Sequence, residues 1–72
     1  MRKITIKLNE VLQSRNLTQT QLSEMSGVRQ AAISEMSRNI REQVNLKTLE
    51  KIADALNIDD ITELITIENR TQ

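Results

Sequence analysis

The chain has 72 residues, with ten Lys and Arg balanced by ten Asp and Glu, and it lacks His, Cys, Trp, Tyr and Phe. A single small domain of this size buries only roughly 60% of the surface its unfolded form exposes, so its core is thin. Without Cys or His there is no disulfide framework, thiolate chemistry, zinc-finger spacing or imidazole base; no carboxylate set converges, so the chain reads as a non-enzyme without cofactor or metal.

Near the N-terminus, ITIKL alternates apolar and polar residues at Ile4, Ile6 and Leu8, as LITIEN does near the C-terminus at Ile65 and Ile67. Both segments are candidates for short strands that pair with each other. Leu8, Val11 and Leu12, spaced i, i+3, i+4, predict a first helix over about residues 7–15. Asn16 closes it, a residue that tolerates the left-handed conformation. Thr18 and Gln21 then form a capping box for a second helix over about 19–26, which is expected to bury Leu22 and Met25.

Gly27, the chain's only glycine, ends that helix, and a third restarts near residue 28 and runs to 36 or 37. Val28, Ala32, Ile33 and Met36 share its packed face, whereas Gln30, Ser34 and Arg38 lie opposite. A polar loop from Ser37 to Val44 follows. Asn45 caps a fourth helix whose Leu46, Leu49, Ile52, Ala53 and Leu56 make an apolar stripe ending at Asn57. Asp60 opens a last short turn, with Glu63 placed for a capping box. The expected class is therefore all-α: one domain over residues 1–72, a compact bundle of four to five helices, with the two terminal segments as candidates for a short strand pair.

No apolar run approaches the about 20 residues that a bilayer helix needs, and the N-terminus lacks a signal-peptide pattern. The chain is expected to be soluble, unprocessed and cytoplasmic, with no membrane partner. Charge is polarised along it. Arg2, Lys3, Lys7, Arg15, Arg29, Arg38, Arg41 and Lys47 dominate the first part; Glu50, Asp54, Asp59, Asp60, Glu63 and Glu68 face only Lys51 and Arg70 in the last.

Two short helices joined by a tight Gly turn, the second presenting polar residues outward, describe a helix-turn-helix. The stretch TQTQLSEMSGVRQAAISEMSRN followed by NLKTLEKIADALNI resembles the Cro/C1-type helix-turn-helix family of phage and bacterial regulators. The resemblance covers about residues 5–65, with Leu22, Ser23, Gly27, Val28 and Ile33 at the family's spacing. It departs from the family at Leu12 and Ser37, where an Arg–Glu pair is frequent; burial of Leu12 is expected to replace that pair. Asn16 and Asn39 stand where helix-ending glycines are common. The resemblance implies a lambda-repressor-like fold and a sequence-specific regulator, such as a prophage repressor, that occupies double-stranded DNA as a homodimer.

On physical grounds, a helix entering the major groove needs base-reading side chains near its N-terminus. Arg29 offers a bidentate fork to guanine, Gln30 an amide to adenine, and Ala31 a methyl contact to thymine. Ser34 and Glu35 lie further along; Glu35 either accepts from cytosine or is a solvated partner of Arg38. The resemblance places Thr18 and Gln19 on a phosphate, as suits a helix N-terminus. Arg38, Asn39, Arg41 and Lys47 are expected along the flanking backbone. No small-molecule ligand is expected. A dimer would use the apolar terminal segments or the exposed side of the last helix, with half-sites about 34 Å apart. The rival reading keeps the fold as a protein-interaction module, antitoxin-like or antirepressor-like, and is favoured by the zero net charge and by Glu35.

Overall fold

The computed structural model describes residues 1–39 and 43–69. In chain order it holds strand β1 (Arg2–Ile6), helices α1 (Leu8–Ser14), α2 (Gln19–Ser26), α3 (Gln30–Ser37) and α4 (Leu46–Leu56), a 3₁₀ turn (Ile61–Glu63) and strand β2 (Ile65–Asn69). The helical bundle therefore carries a small sheet. β1 and β2 pair antiparallel, with Ile4 opposite Ile67 and Ile6 opposite Ile65. Leu8, which alternation alone assigns to the strand, instead begins α1 and is fully buried.

The ladder continues one step beyond the strands, where the Lys7 N–H donates to the Leu64 carbonyl at 2.6 Å. Lys3, Thr5 and Lys7 thus turn their main-chain groups toward β2, and Ile4 and Ile6 turn theirs away, as an antiparallel ladder requires. At Ile6 that outward edge is occupied. Asn39 Oδ1 accepts from the Ile6 N–H at 2.7 Å, and Asn39 Nδ2 donates to the Ile6 carbonyl at 3.1 Å. The end of α3 is thereby tied to the ribbon.

Asparagine supplies the left-handed residues that end three of the helices: Asn16, Asn39 and Asn57 have φ of 57°, 56° and 56°. After α1, the Asn16 N–H donates to Gln13 O and the Leu17 N–H to Leu12 O; after α4, the Asn57 N–H donates to Asp54 O and the Ile58 N–H to Ala53 O. These are paired Schellman bonds that satisfy the last carbonyls. Gly27, at φ 76°, closes α2 with the single bond from its N–H to Ser23 O at 2.9 Å. The expected capping box at Thr18 is formed, and Asn45 Oδ1 caps α4 by accepting from the Lys47 N–H at 2.8 Å. Asp60 Oδ1 accepts from the N–H and hydroxyl of Thr62, so Thr62 rather than Glu63 completes that cap. Those two bonds hold the exposed Asp60 carboxyl below its ordinary value, so its charged form persists to lower pH than that of a free aspartate.

The core is wholly aliphatic apart from Met36. Leu8, Leu12, Leu22, Ile33, Ile52, Leu56 and Leu64 are fully buried at its centre, and no polar residue among those described is buried with them. Two expected core residues lie elsewhere. Met25 is 52% exposed. The inward side of α2 runs through Leu22, Ser23 and Ser26, whose hydroxyls serve the following turn, and this rotates Met25 outward. Leu46, at 72% exposure, is the first residue of α4 and precedes the buried stripe of Leu49, Ile52 and Leu56.

Leu12 fills the core as expected of an aliphatic replacement for a buried ion pair. At the matching position, however, the Ser37 hydroxyl is buried with no hydrogen-bond partner among the described residues. An unsatisfied buried hydroxyl costs about 1–3 kcal/mol. Ser37→Ala is accordingly expected to raise unfolding free energy by about 1 kcal/mol, read as a later urea midpoint by circular dichroism. A midpoint that stays put or falls would show that the hydroxyl is satisfied.

Candidate nucleic-acid interface

The turn between α2 and α3 is fixed by two serines. Ser23 Oγ donates to the Val28 carbonyl at 2.6 Å, while Ser26 Oγ donates to Leu22 O at 2.7 Å and accepts the Val28 N–H at 3.1 Å. Val28 is held on both sides of its peptide and plugs into the core at 7% exposure. The next residue, Arg29, is forced into the extended conformation (φ −62°, ψ 140°) as the N-cap of α3. The helix thus begins at Gln30, two residues later than periodicity alone predicts. A buried Val28 satisfied both by apolar periodicity and by the turn, and only the serine bonds distinguish the two.

This shift places Arg29 at the mouth of the helix rather than on its barrel. Arg29, Gln30 and Ala31 are all exposed there. Their Cα positions are held from behind by Ile33, fully buried, and Met36, 5% exposed. Ser34 and Glu35 are half-buried and lie further from the exposed tip. Arg38, the C-cap of α3, is exposed at the other end.

An open groove of about 510 Å³ runs beside this tip, and Arg29, Ala31, Glu35, Thr48 and Lys51 contribute side chains to it. Thr48 and Lys51 belong to α4 and were not anticipated as site residues. Their spacing marks a polar side of that helix, but nothing local in the sequence says that this side looks across to α3. Lys47 is one turn before Lys51 and 83% exposed, at 3.7 Å from Glu50 Oε1. Such a solvated i,i+3 pair contributes little and leaves the ammonium available.

Thr18 and Gln19 open α2. Thr18 Oγ1 accepts the Gln21 N–H at 3.0 Å, and Gln21 Oε1 accepts the Thr18 N–H at 2.8 Å. The first intrahelical bond of α2 runs from the Leu22 N–H to Thr18 O, so the N–H groups of Gln19 and Thr20 have no acceptor within the helix. They form the positive end of its dipole.

Two residues expected along the DNA backbone stand apart from Arg38 and Lys47. Asn39 commits its amide to both main-chain groups of Ile6, a structural task that removes it from the outer surface set. Arg41 lies outside the described residues. Among the described residues no cluster of His, Cys, Asp and Glu is arranged to hold a metal ion, and no helix is long and apolar enough to cross a membrane.

Comparison with known proteins agrees with this geometry. A family model described as the Cro/C1-type HTH DNA-binding domain matches residues 7–69. The crystal structure of the transcriptional regulator VanUg, Form II, is similar in fold, with a TM-score of 0.73 and 26% sequence identity, covering 96% of this chain and 89% of that one. No curated protein matches by sequence. The matched span takes in every helix, the Gly27 turn and the exposed start of α3, and the chain belongs to the Cro/C1-type helix-turn-helix DNA-binding domain family.

Proposed function

We propose that the chain is a sequence-specific transcriptional regulator that reads a two-fold operator as a homodimer, with α3 in the major groove, and that it acts as a repressor by occupancy. One observation carries this reading. Arg29, Gln30 and Ala31, which are the residue types suited to guanine, adenine and thymine, stand exposed together at the tip of a helix whose rear is sealed in the core. VanUg's description as a transcriptional regulator supports the regulatory half of the reading.

In this arrangement Arg29 places its fork on guanine and Gln30 its amide on adenine, while Ala31 packs on a thymine methyl. Ser34 and Glu35 contact bases only after the helix has seated, because they are half-buried. The free N–H groups at the start of α2, with Thr18 and Gln19, bind one phosphate. Arg38, Lys47 and Lys51 line the flanking backbone, with Arg41 beside them in sequence. These contacts position the protein and carry no base preference.

Selection of bound sites from random duplex DNA tests the reading, and enrichment of a two-fold sequence with half-sites about 34 Å apart, or a multiple of that, is expected. Binding to the selected site should weaken steeply with salt, with a log–log slope near −0.9 per phosphate contact. Lys47→Ala should reduce that slope by about 1 for each engaged subunit, and it should weaken all sequences alike. Absence of enrichment, together with a shallow salt dependence toward a captured protein, would favour the interaction-module alternative, for which Glu35 in the groove is the supporting observation.

A further inference from the structure

The ribbon at the chain ends has no role in the contacts just proposed, yet it carries much of the exposed apolar surface. Met1, Ile4, Ile61 and Ile67 are 90%, 67%, 55% and 64% exposed. Ile4 and Ile67 are cross-strand partners at the centre of their strands, and Ile61 lies just ahead of β2. A two-stranded ribbon with an uncovered apolar centre, and with one edge that no other strand among the described residues covers, is marginal on its own and invites a further strand.

The two edges differ. On β1 the outward main-chain groups of Ile6 are taken by Asn39, so a strand cannot run along that edge. On β2 the outward groups are those of Ile65, Ile67 and Asn69, by the same alternation that turns Thr66 and Glu68 toward Thr5 and Lys3. An apolar groove of about 350 Å³ lies against this strand, lined by Ile61, Thr62, Ile65, Thr66 and Ile67. Three consecutive strand residues line it, so the groove follows the strand rather than one face of it.

We infer that β2 is the seam of the homodimer: the β2 strands of two copies pair antiparallel about a two-fold axis at Ile67, joining both ribbons into one sheet. The inference rests on the two-fold reading proposed above. The backbone limits the register: a two-fold that sets a residue against its own copy as a hydrogen-bonded pair passes through one whose main-chain groups point outward. A two-fold on Glu68, a non-hydrogen-bonded pair, would instead bring two carboxylates together, and one on Thr66 would leave Asn69 unmatched. Ile67 is the central one of the outward residues. Centring there pairs Ile65 with Asn69 of the second copy across the seam, whereas centring on Ile65 or Asn69 leaves much of the strand unmatched. The same register sets Glu68 beside Thr66 of the second copy and leaves Lys3 opposite Glu68 within each chain, so no like charges meet directly. The partner is thus a second copy of this strand: the seam is self-complementary in hydrogen bonds, in apolar centre and in charge.

Truncation before Leu64 is a poor test, because Leu64 is a core residue at 1% exposure. Cysteine cross-linking of the full chain is cleaner, since the chain has no cysteine of its own. Across the proposed axis the two Ile67 Cα atoms are about 5.5 Å apart, within disulfide reach. The two Ile4 Cα atoms are separated by three strand spacings, about 14 Å, which is out of reach. Ile67→Cys is therefore expected to form a disulfide dimer under mild oxidation, and Ile4→Cys to remain monomeric on denaturing gels. In parallel, Ile67→Lys should weaken self-association by at least about 10-fold in sedimentation, with an unchanged helical circular dichroism spectrum, because it opposes like charges on the axis.

Cross-linking of Ile4→Cys as fast as Ile67→Cys, or a dimer untouched by Ile67→Lys, would overturn the seam. These readouts need no DNA, so a failed seam alongside enriched two-fold sites condemns the seam alone. A seam that cross-links as expected, without DNA enrichment, condemns the functional reading alone.

Discussion

Arg29→Ala is expected to weaken binding to the selected operator by about 1–3 kcal/mol per subunit, roughly 5- to 150-fold, and to relax the preference at one base pair of each half-site. The argument is geometric. Arg29 is the N-cap of α3, with an extended backbone locked by the Ser23 and Ser26 bonds to Val28, and its side chain makes no cap bond of its own. Removing it leaves the scaffold untouched and takes away a planar fork that can grip two guanine acceptors at once. Arg29→Lys should recover little, because a lysine keeps the charge but loses the bidentate geometry. The salt slope should hardly move, which separates this residue from Lys47. Titrations against the selected site and against single-base variants, each at several salt concentrations, supply the measurement. A uniform loss on every sequence with a shallower slope would make Arg29 a phosphate contact.

Ile33→Ala carries the largest expected loss of stability, about 2–5 kcal/mol. A chain of 72 residues has roughly 4–11 kcal/mol in total, at about 0.05–0.15 kcal/mol per residue. Ile33 is fully buried, and it seats α3 against the core. Its truncation leaves a cavity that a core of aliphatic side chains and one methionine, with no large ring, cannot easily refill. The urea midpoint, followed by circular dichroism because the chain has no Trp or Tyr, should fall by on the order of 2 M or more. Met25→Ala serves as the contrast: both residues look apolar and helical in sequence, yet Met25 is 52% exposed and its loss should stay within about 0.5 kcal/mol. Comparable midpoints for the two variants would contradict the packing described above.

The punctuation of the chain was legible because each signal has a local cause. Asn16, Asn45, Asn57, Gly27 and the Thr18–Gln21 box act through their own backbone and that of residues a turn away, so helix ends could be read without any knowledge of the tertiary structure. The pairing of the terminal strands was legible as well, through matched alternation. Four things were not. Met25 and Leu46 obey helical periodicity but sit at helix ends, where the packed stripe has already turned away. The start of α3 depends on serine hydroxyls that reach across the turn, and serine carries no periodic signal. Finally, Asn39 stands beside arginines in the sequence as a surface donor does, whereas its partner is Ile6, near the start of the chain. Thr48 and Lys51 were missed for a related reason, since only the packing of α4 on α2 brings them to the groove beside α3.

Asn39 donates its N–H to Met36 O at the end of α3 and bonds the edge of β1 through its amide, so α3 and the ribbon are tied directly to each other, like two arms of one lever. Were two such levers joined through their ribbons, the separation and relative twist of their tips would be set by geometry rather than by a tether. Inserting or deleting a single base pair between half-sites would then rotate one tip out of phase with its groove, and the operator would tolerate one spacing only.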